Sequence, residues 1–561
     1  MLADFRQFIS HRFRGGKGEI KLAWQSLKQQ GPSQLQFWVI ALVIGIAAGM
    51  AALGFRVGIT TLQEFFYGAS DKALHSRLAE LHWTSVLGIP IAGGLAVGII
   101  LHFFSKVGRA QSLADVIEGA ALREGRVSKR EGLVSTLVSL ITLSTGGSTG
   151  REGPVVHLGA VISTYVSKLI HADGITARDL MGCAAAAAVS ASFNAPIAGT
   201  LFALEVVLRH FAVHAFAPIV IASVVGTLVS RWQMGNVTEF VLPAADLGFY
   251  AELPAFLLLG LLCGFIAFAL IRSIFVAVEL GDFVQGATKM PNWMRPAVTG
   301  ALLGGIAIWF PHIIGVGYET TSRVLTGQIG LWMVIGFVIV KIVAVAITIS
   351  GRMGGGIFSP SLMIGAMTGL AFGYVATAIA PELSGSETRY ALAGMGAVAA
   401  AVLGAPISTT LIVFELTGDW QAGIAVMVSV SLASALNSRL VDRSYFLTQL
   451  SRRGVNLAEG PQSYLLRTIS TGRLMRVAGA EDGASEMRCY ELMEQGVSLP
   501  SDATLDLAFA MFDNSKIDII PILSQAETEE SDPELLGALF YVDALRAYNR
   551  ALAEVAREEH S

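Results

Sequence analysis

Charge is what this chain has least of. Asp, Glu, Lys and Arg make up 15% of its 561 residues, against ~25% in an ordinary soluble protein. That leaves too little polar surface for the three or four soluble domains that the length would otherwise suggest. Cysteine is scarcer still: Cys183, Cys263 and Cys489 form an odd, scattered set, which excludes a disulfide-built secreted fold. Nor is there a basic surplus. With 39 basic and 43 acidic residues the formal net charge is −4, which excludes nucleic-acid binding as the main role. Walker, Rossmann and metal-ligand motifs are missing, and the ten histidines form no ligand-spaced cluster. An enzyme would need an acid/base or metal constellation, and the sequence offers none.

Apolar residues fill the space that charge vacates. They reach 53%, with 60 glycines and a mean hydropathy of +0.60. Many apolar residues together with many small ones suit membrane helices that approach closely. The charge is also unevenly spread: residues 1–450 carry net +5 and residues 451–561 net −9. The expected organisation is a segment 1–34, a membrane domain 35–450 and an acidic soluble region 451–561, joined at "SRRGVNLAEG". Arg6, Arg12, Arg14, Lys17, Lys21 and Lys28 precede the first apolar run. They read as a retained cytoplasmic flank and not as a cleaved signal. Arg452 and Arg453 after the last run place the C-terminal region on the same side.

Phe37–Leu53, Val86–Phe104, Ala255–Val278, Ala297–Phe310, Leu331–Ile349 and Ala422–Leu436 each span or nearly span a bilayer. Between them lie shorter pieces: Leu133–Leu143, Val155–Leu169, Ala184–Ala191, Ile197–Leu208 and Ile407–Phe414. Such lengths, interrupted by Gly and Pro, predict helices that stop inside the membrane, where only protein or a water-filled cavity can satisfy the backbone.

The breaks recur in order. "GREGPVVHLGA" (Gly150–Ala160) matches "GIFSPSLMIGA" (Gly356–Ala366) at an offset of 206. "NAPIAGTLFALE" (Asn194–Glu205) matches "GAPISTTLIVFE" (Gly404–Glu415) at an offset of 210. Two matches in one order predict a duplicated body, about 35–240 and 250–450, with discontinuous helices from both halves around a midplane site. Each element sets Gly just before a Pro-started helix, whose first N–H groups lack internal partners and whose dipole adds about half a positive charge. Several such ends make an anion site. The same breaks also suit kinked, packed helices, and spacing alone leaves both readings open.

"STGREGP", "GGGIFSP", "FNAPIAGTLF" and "SYFLTQLSRRGVN" resemble the signatures of the CLC family of chloride channels and chloride/proton antiporters, and the likeness covers the whole membrane body. The resemblance implies a bacterial member in the cell inner membrane, multi-pass, with both termini cytoplasmic. It implies an all-α polytopic fold of two inverted repeats and a homodimer with one pore per subunit. Chloride is the implied ion, in a filter of helix N-termini, with no cofactor.

Glu152 is central. An acid within a membrane body is a functional candidate by default, and at a helix start its carboxylate wants the donors an anion wants. By resemblance Glu152 is the external gating glutamate, with the N–H groups of Arg151, Glu152 and Gly153 at the outer site. The inner site would use the N–H groups of Ile357 and Phe358, a serine hydroxyl and a tyrosine hydroxyl. Ser112 falls at the serine position without the surrounding Gly and Pro, so ligand and helix cap both remain open. The tyrosine position falls on Phe446, with Tyr445 one residue earlier. Either the register shifts or the inner gate is looser. Antiporters of the family carry an internal glutamate where this chain has Val206, beside Glu205. Valine cannot relay a proton, so passive chloride conduction is the first expectation. Coupled exchange by a non-standard inner route is the alternative.

The last hundred residues predict a small α/β unit from strand–helix–strand–helix order. They resemble one cystathionine-β-synthase-type (CBS) module, with a vestigial first module in Leu465–Val477. That resemblance implies a regulatory region and leaves adenine-nucleotide binding possible.

Overall fold

The computed structural model describes residues 33–560 except 212, 236–248, 382–385, 418–419, 442, 456, 458–465, 467–468, 480–482 and 525–533. Two compact units emerge, Met1–Phe211 with Ala215–Gln449, and Ala212–His214 with Leu450–Ser561. The first is all-α and polytopic. Its helices are α1 (Gln34–Tyr67), α2 (Leu74–Glu80), α3 (Trp83–Phe104), α4 (Leu113–Leu122), α5 (Lys129–Thr145) and α6 (Glu152–Leu169). There follow α7 (Gly174–Phe193), α8 (Pro196–Phe202, continued by a π-helical turn Ala203–Leu208) and α9 (Val213–Met234). The second half has α10 (Phe249–Thr288), α11 (Arg295–Trp309), α12 (Tyr318–Leu325), α13 (Leu331–Ser350) and α14 (Phe358–Ile379). It ends with α15 (Glu387–Leu403), α16 (Pro406–Thr417), α17 (Trp420–Leu440) and α18 (Tyr445–Ser451).

With α2 set aside, α1 and α3–α9 recur in order as α10–α17, the two repeats that the resemblance implies. Among the described residues, seven helices are long and apolar enough to cross a membrane. They include Val213–Met234 and Phe358–Ile379, which the sequence reading did not count as spans. Pro218 interrupts the first run, and Ser, Thr and Gly dilute the second. Most of those residues are buried against neighbouring helices. Arg295–Trp309, expected as a near-span, is 15 residues long and ends at Phe310.

The halves hold each other by close backbone contact. A Cβ on Gly94 would lie 2.1 Å from the Pro296 carbonyl oxygen, and one on Gly300 would lie 2.0 Å from that of Pro90. Both pairs stand at the offset of 206, so α3 and α11 cross on the pseudo-twofold axis where only glycine fits. Ala-rich α7 and α15 do the same work more gently: Ala184–Ala188 and Ala397–Ala400 are fully buried. Small side chains let backbones approach and gain dispersion contacts where lipid supplies no hydrophobic drive.

The second unit is a small α/β fold resembling a CBS-like region. β1 (Arg476–Val477), α19 (Glu486–Glu494), β2 (Leu499–Pro500), α20 (Leu505–Ser515), β3 (Ile519–Leu523), β4 (Leu535–Phe540) and α21 (Tyr541–His560) follow in order. The sheet order is β1-β4-β3-β2, with β2–β3 parallel and the other pairs antiparallel. Leu499, Leu505, Phe512, Ile520, Ile522 and Leu539 form its core. The segment read as a vestigial first module behaves differently. Arg476–Val477 within it pairs with Gly537–Ala538 as an edge strand of this same sheet. The acidic loop 525–533 lies outside the described residues.

Candidate functional site

The two matched breaks meet. Gly150 and Gly356 form an isolated antiparallel bridge in which each N–H donates to the other's carbonyl at 2.7 Å. The Thr149 hydroxyl donates to the Gly356 carbonyl at 2.8 Å. Antiparallel pairing sends the chains apart in opposite directions, so α6 and α14 both start at one place. Their partial positive ends therefore add at a buried point.

Glu152 occupies that point. Its side chain is 2% exposed. Oε1 accepts from the Ser359 hydroxyl and Oε2 from the Ser359 N–H at 3.4 Å. Ser359 is the second residue of α14, so the carboxylate of one repeat rests on the helix start of the other. Gly150 makes room, since a Cβ there would lie 2.6 Å from Glu152 Oε2 and 3.0 Å from the Ser359 nitrogen. Burial of a carboxylate costs several kcal/mol unless donors and positive charge offset it. Here the offsets are Ser359, the helix ends and Arg151, whose Nε stands 4.0 Å from Oε1. The Arg151 guanidinium also donates to the Ser192 carbonyl at 3.1 Å and lies 4.8 Å from the Tyr318 ring centre. Donors that offset a carboxylate's charge are also of the kind that can hold an anion.

The other expected site residues have distinct neighbours. Gly153 sits against the bridge: a Cβ on Gly356 would lie 3.1 Å from the Gly153 nitrogen. Ile357 caps α14, and the Phe358 ring packs 4.9 Å from Phe193 and 5.7 Å from Phe202. Ser112 caps α4 in a capping box with Asp115, whose Oδ2 accepts from the Ser112 N–H at 2.7 Å. The Ser112 hydroxyl also donates to Gln449 Oε1 at 3.1 Å, tying it to α18. Tyr445 and Phe446 are both buried on α18, and Tyr445 stacks on Phe275 at 5.6 Å.

Glu205 and Glu415 cap each other's repeats. Glu205 accepts from the Ile407 and Ser408 N–H groups at 3.0 and 2.7 Å. Glu415 accepts from Ile197 and Ala198 at the same two distances. Charge-assisted bonds of this kind are about twice as strong as neutral ones, and both Glu205 oxygens are committed. Val206, next to it in the π-helical turn, is buried and apolar.

Sequence reasoning missed three residues. Ser359 stood inside a quoted motif, but no residue spacing shows that its hydroxyl turns to the opposite repeat. Gln449 lay one helical turn past Tyr445. His157 sat inside "GREGPVVHLGA" as a lone imidazole. It is fully buried, its Nδ1 is 3.3 Å from the Ser112 carbonyl, and its Nε2 has no hydrogen-bond partner among the described residues.

Known proteins resemble this chain in sequence and fold. A family model described as voltage gated chloride channel matches residues 93–438. A putative chloride channel protein, ClcB-like, from Ralstonia nicotianae is 32% identical over 398 residues, covering 70% of this chain and 91% of that protein. The voltage-gated ClC-type chloride channel ClcB of Escherichia coli is 29% identical over 417 residues, covering 72% and 96%. A solved slow cyanobacterial Cl−/H+ antiporter superposes with a TM-score of 0.66 at 20% identity, covering 74% of this chain and 97% of that one. The chain belongs to the CLC family of chloride-transport proteins, which are ion transporters and not enzymes.

Proposed function

We propose that the chain exchanges chloride for protons, with Glu152 as the group that closes the anion route and binds the proton. The observation that carries this reading is the Glu152 carboxylate seated on Ser359 at the start of α14. Carboxylate and anion want the same donors, so protonation of one and occupancy by the other are linked events. The N–H groups of Arg151, Glu152, Gly153, Ile357 and Phe358 serve the anion, with Tyr445 and Phe446 at the inner end beside the Ser112 hydroxyl, whose one proton must turn from Gln449 Oε1 to reach an ion. Arg151 acts mainly through its backbone, because its side chain is engaged with Ser192 and Tyr318. A homodimer in the inner membrane, both termini cytoplasmic, with one route per subunit, completes the proposal.

Names of relatives divide between channels and antiporters, so the second reading is passive chloride conduction. Two features favour it: Val206 stands at the inner position, and Glu205 has both oxygens occupied. Liposome flux separates the two. A chloride gradient at zero potential and without a pH gradient is expected to drive protons uphill, and Glu152→Ala is expected to abolish that movement. Chloride flux with a static internal pH in unmutated protein would leave only conduction.

A further inference from the structure

An outer carboxyl alone cannot carry a proton across; some inner group must receive it. His157 lies on α6 five residues beyond Glu152, which places it about 7.5 Å farther along the helix axis. It is fully buried. A carbonyl oxygen only accepts, so the contact from Nδ1 to the Ser112 carbonyl at 3.3 Å requires a proton on Nδ1. In the neutral ring Nε2 is then a bare basic nitrogen, and it has no partner among the described residues.

The second repeat supplies a control. At the offset of 206 the counterpart of His157 is Met363, also fully buried. The N-cap of α4 is Ser112, and that of α12 is Gly317. Met363 packs on Gly317, as a Cβ there would lie 2.4 Å from its sulfur. The same helix position thus touches the same capping loop in both halves, and a thioether suffices for the packing in one of them. The imidazole adds something that packing does not ask for.

We propose that His157 is the inner proton-transfer residue of this transporter, taking the place that Val206 leaves vacant. The inference rests on the coupled-exchange reading. Nε2 accepts a proton through water from the carboxyl of Glu152; the carboxyl O–H bond breaks as the Nε2–H bond forms. Nε2 later returns that proton to water on the far side, and Nδ1–H stays on Ser112 throughout. The imidazolium formed in between stands next to Ser112, where its charge favours an anion at the inner site. Charged groups on the elements packed around it are already engaged. Asp115 of α4 is paired with Arg109 at 2.6 Å. Glu131, beside Gly132 on α5, accepts from the Ser105 hydroxyl and the Lys106 N–H at 2.7 Å each. Gly132 lies against the ring itself, since a Cβ there would be 3.1 Å from Nε2.

Two variants test this in chloride-loaded liposomes with internal pH recorded. His157→Gln retains an N–H donor for the Ser112 carbonyl but cannot titrate; His157→Met copies the second repeat. Unmutated protein is expected to drive protons uphill, and in both variants chloride movement is expected to drive them at least ~10-fold less per ion. A purely structural histidine would be rescued by Gln. Coupling at the unmutated ratio in His157→Gln would therefore overturn the assignment while leaving exchange itself standing. Absence of proton movement in unmutated protein would instead remove the exchange reading, and His157's role with it.

Discussion

At an offset of 206 residues Gly150 corresponds to Gly356, Pro90 to Pro296 and Gly94 to Gly300, yet Glu152 corresponds to Phe358 and His157 to Met363. The first three pairs hold backbones together across the pseudo-twofold axis, each reaching into the other half. The last two pairs place a titratable group in the first repeat and an apolar one in the second. Glu205 and Glu415, at the offset of 210, behave like the first set: each caps the opposite repeat with two bonds. Symmetry therefore marks the residues that build the body, and its breaking falls on the two residues proposed above to handle protons. By that criterion Glu205 belongs to the scaffold.

The sharpest way to break the comparison is at the helix crossing. Gly300→Val and Gly94→Val each drive a side chain into a carbonyl and are expected to cost about 3 kcal/mol or more. Loss of monodisperse protein on size exclusion is the expected result for both, and a well-behaved variant of either would show that the crossing is not held from both sides. Glu205→Ala and Glu415→Ala come next. Each strips two N–H donors of their acceptor at a helix start, and each is expected to cost about 2 kcal/mol in thermal unfolding. Unequal losses, or altered proton coupling in Glu205→Gln but not Glu415→Gln, would return Glu205 to the chemistry.

Gly150→Ala and Gly356→Ala should differ in kind. The first adds a methyl 2.6 Å from the Glu152 carboxylate, the second one 3.1 Å from the Gly153 nitrogen. Displacing the carboxylate is expected to raise chloride flux at neutral pH and flatten its pH dependence in Gly150→Ala, with a weaker change in Gly356→Ala. The smallest effect belongs to Ser112. Removing one neutral hydrogen bond is expected to weaken chloride binding by ~1 kcal/mol, about fivefold, in isothermal titration. Unchanged affinity would leave Ser112 as the cap of α4 and tie of Gln449.

Much of this was legible in the chain. Glu152 stood out as an acid inside a membrane body, and the duplicated motifs stood out because two breaks recur in one order, although spacing alone left kinked packing open. The shared role of Glu205 and Glu415 was visible from their matched positions, but not that their donors lie in opposite repeats, because spacing carries no information on which chain segment folds across. Pro90, Gly94 and Gly98 match Pro296, Gly300 and Gly304 at the same offset, a repeat legible in the sequence that its reading did not use, because small residues are common in this chain. Phe358–Ile379 was not counted as a span because its start was read as a break in the chain, "GIFSPSLMIGA", and its Ser and Gly residues are packed inside protein. His157 had no individual role in the sequence reading, because neither its contact with the Ser112 carbonyl nor that of Met363 with Gly317 can be read from spacing.

The central claim is that the Glu152 carboxylate and an anion compete for one set of donors, and chloride affinity across pH in detergent tests it most directly. As pH falls Glu152 becomes neutral and releases Ser359 and the helix ends, so chloride is expected to bind more tightly in acid than in alkali. Glu152→Gln, which never carries the charge, is expected to bind at the acid-side affinity throughout. The same pH dependence in unmutated protein and in Glu152→Gln would contradict the claim, because the competing charge would then have to lie elsewhere.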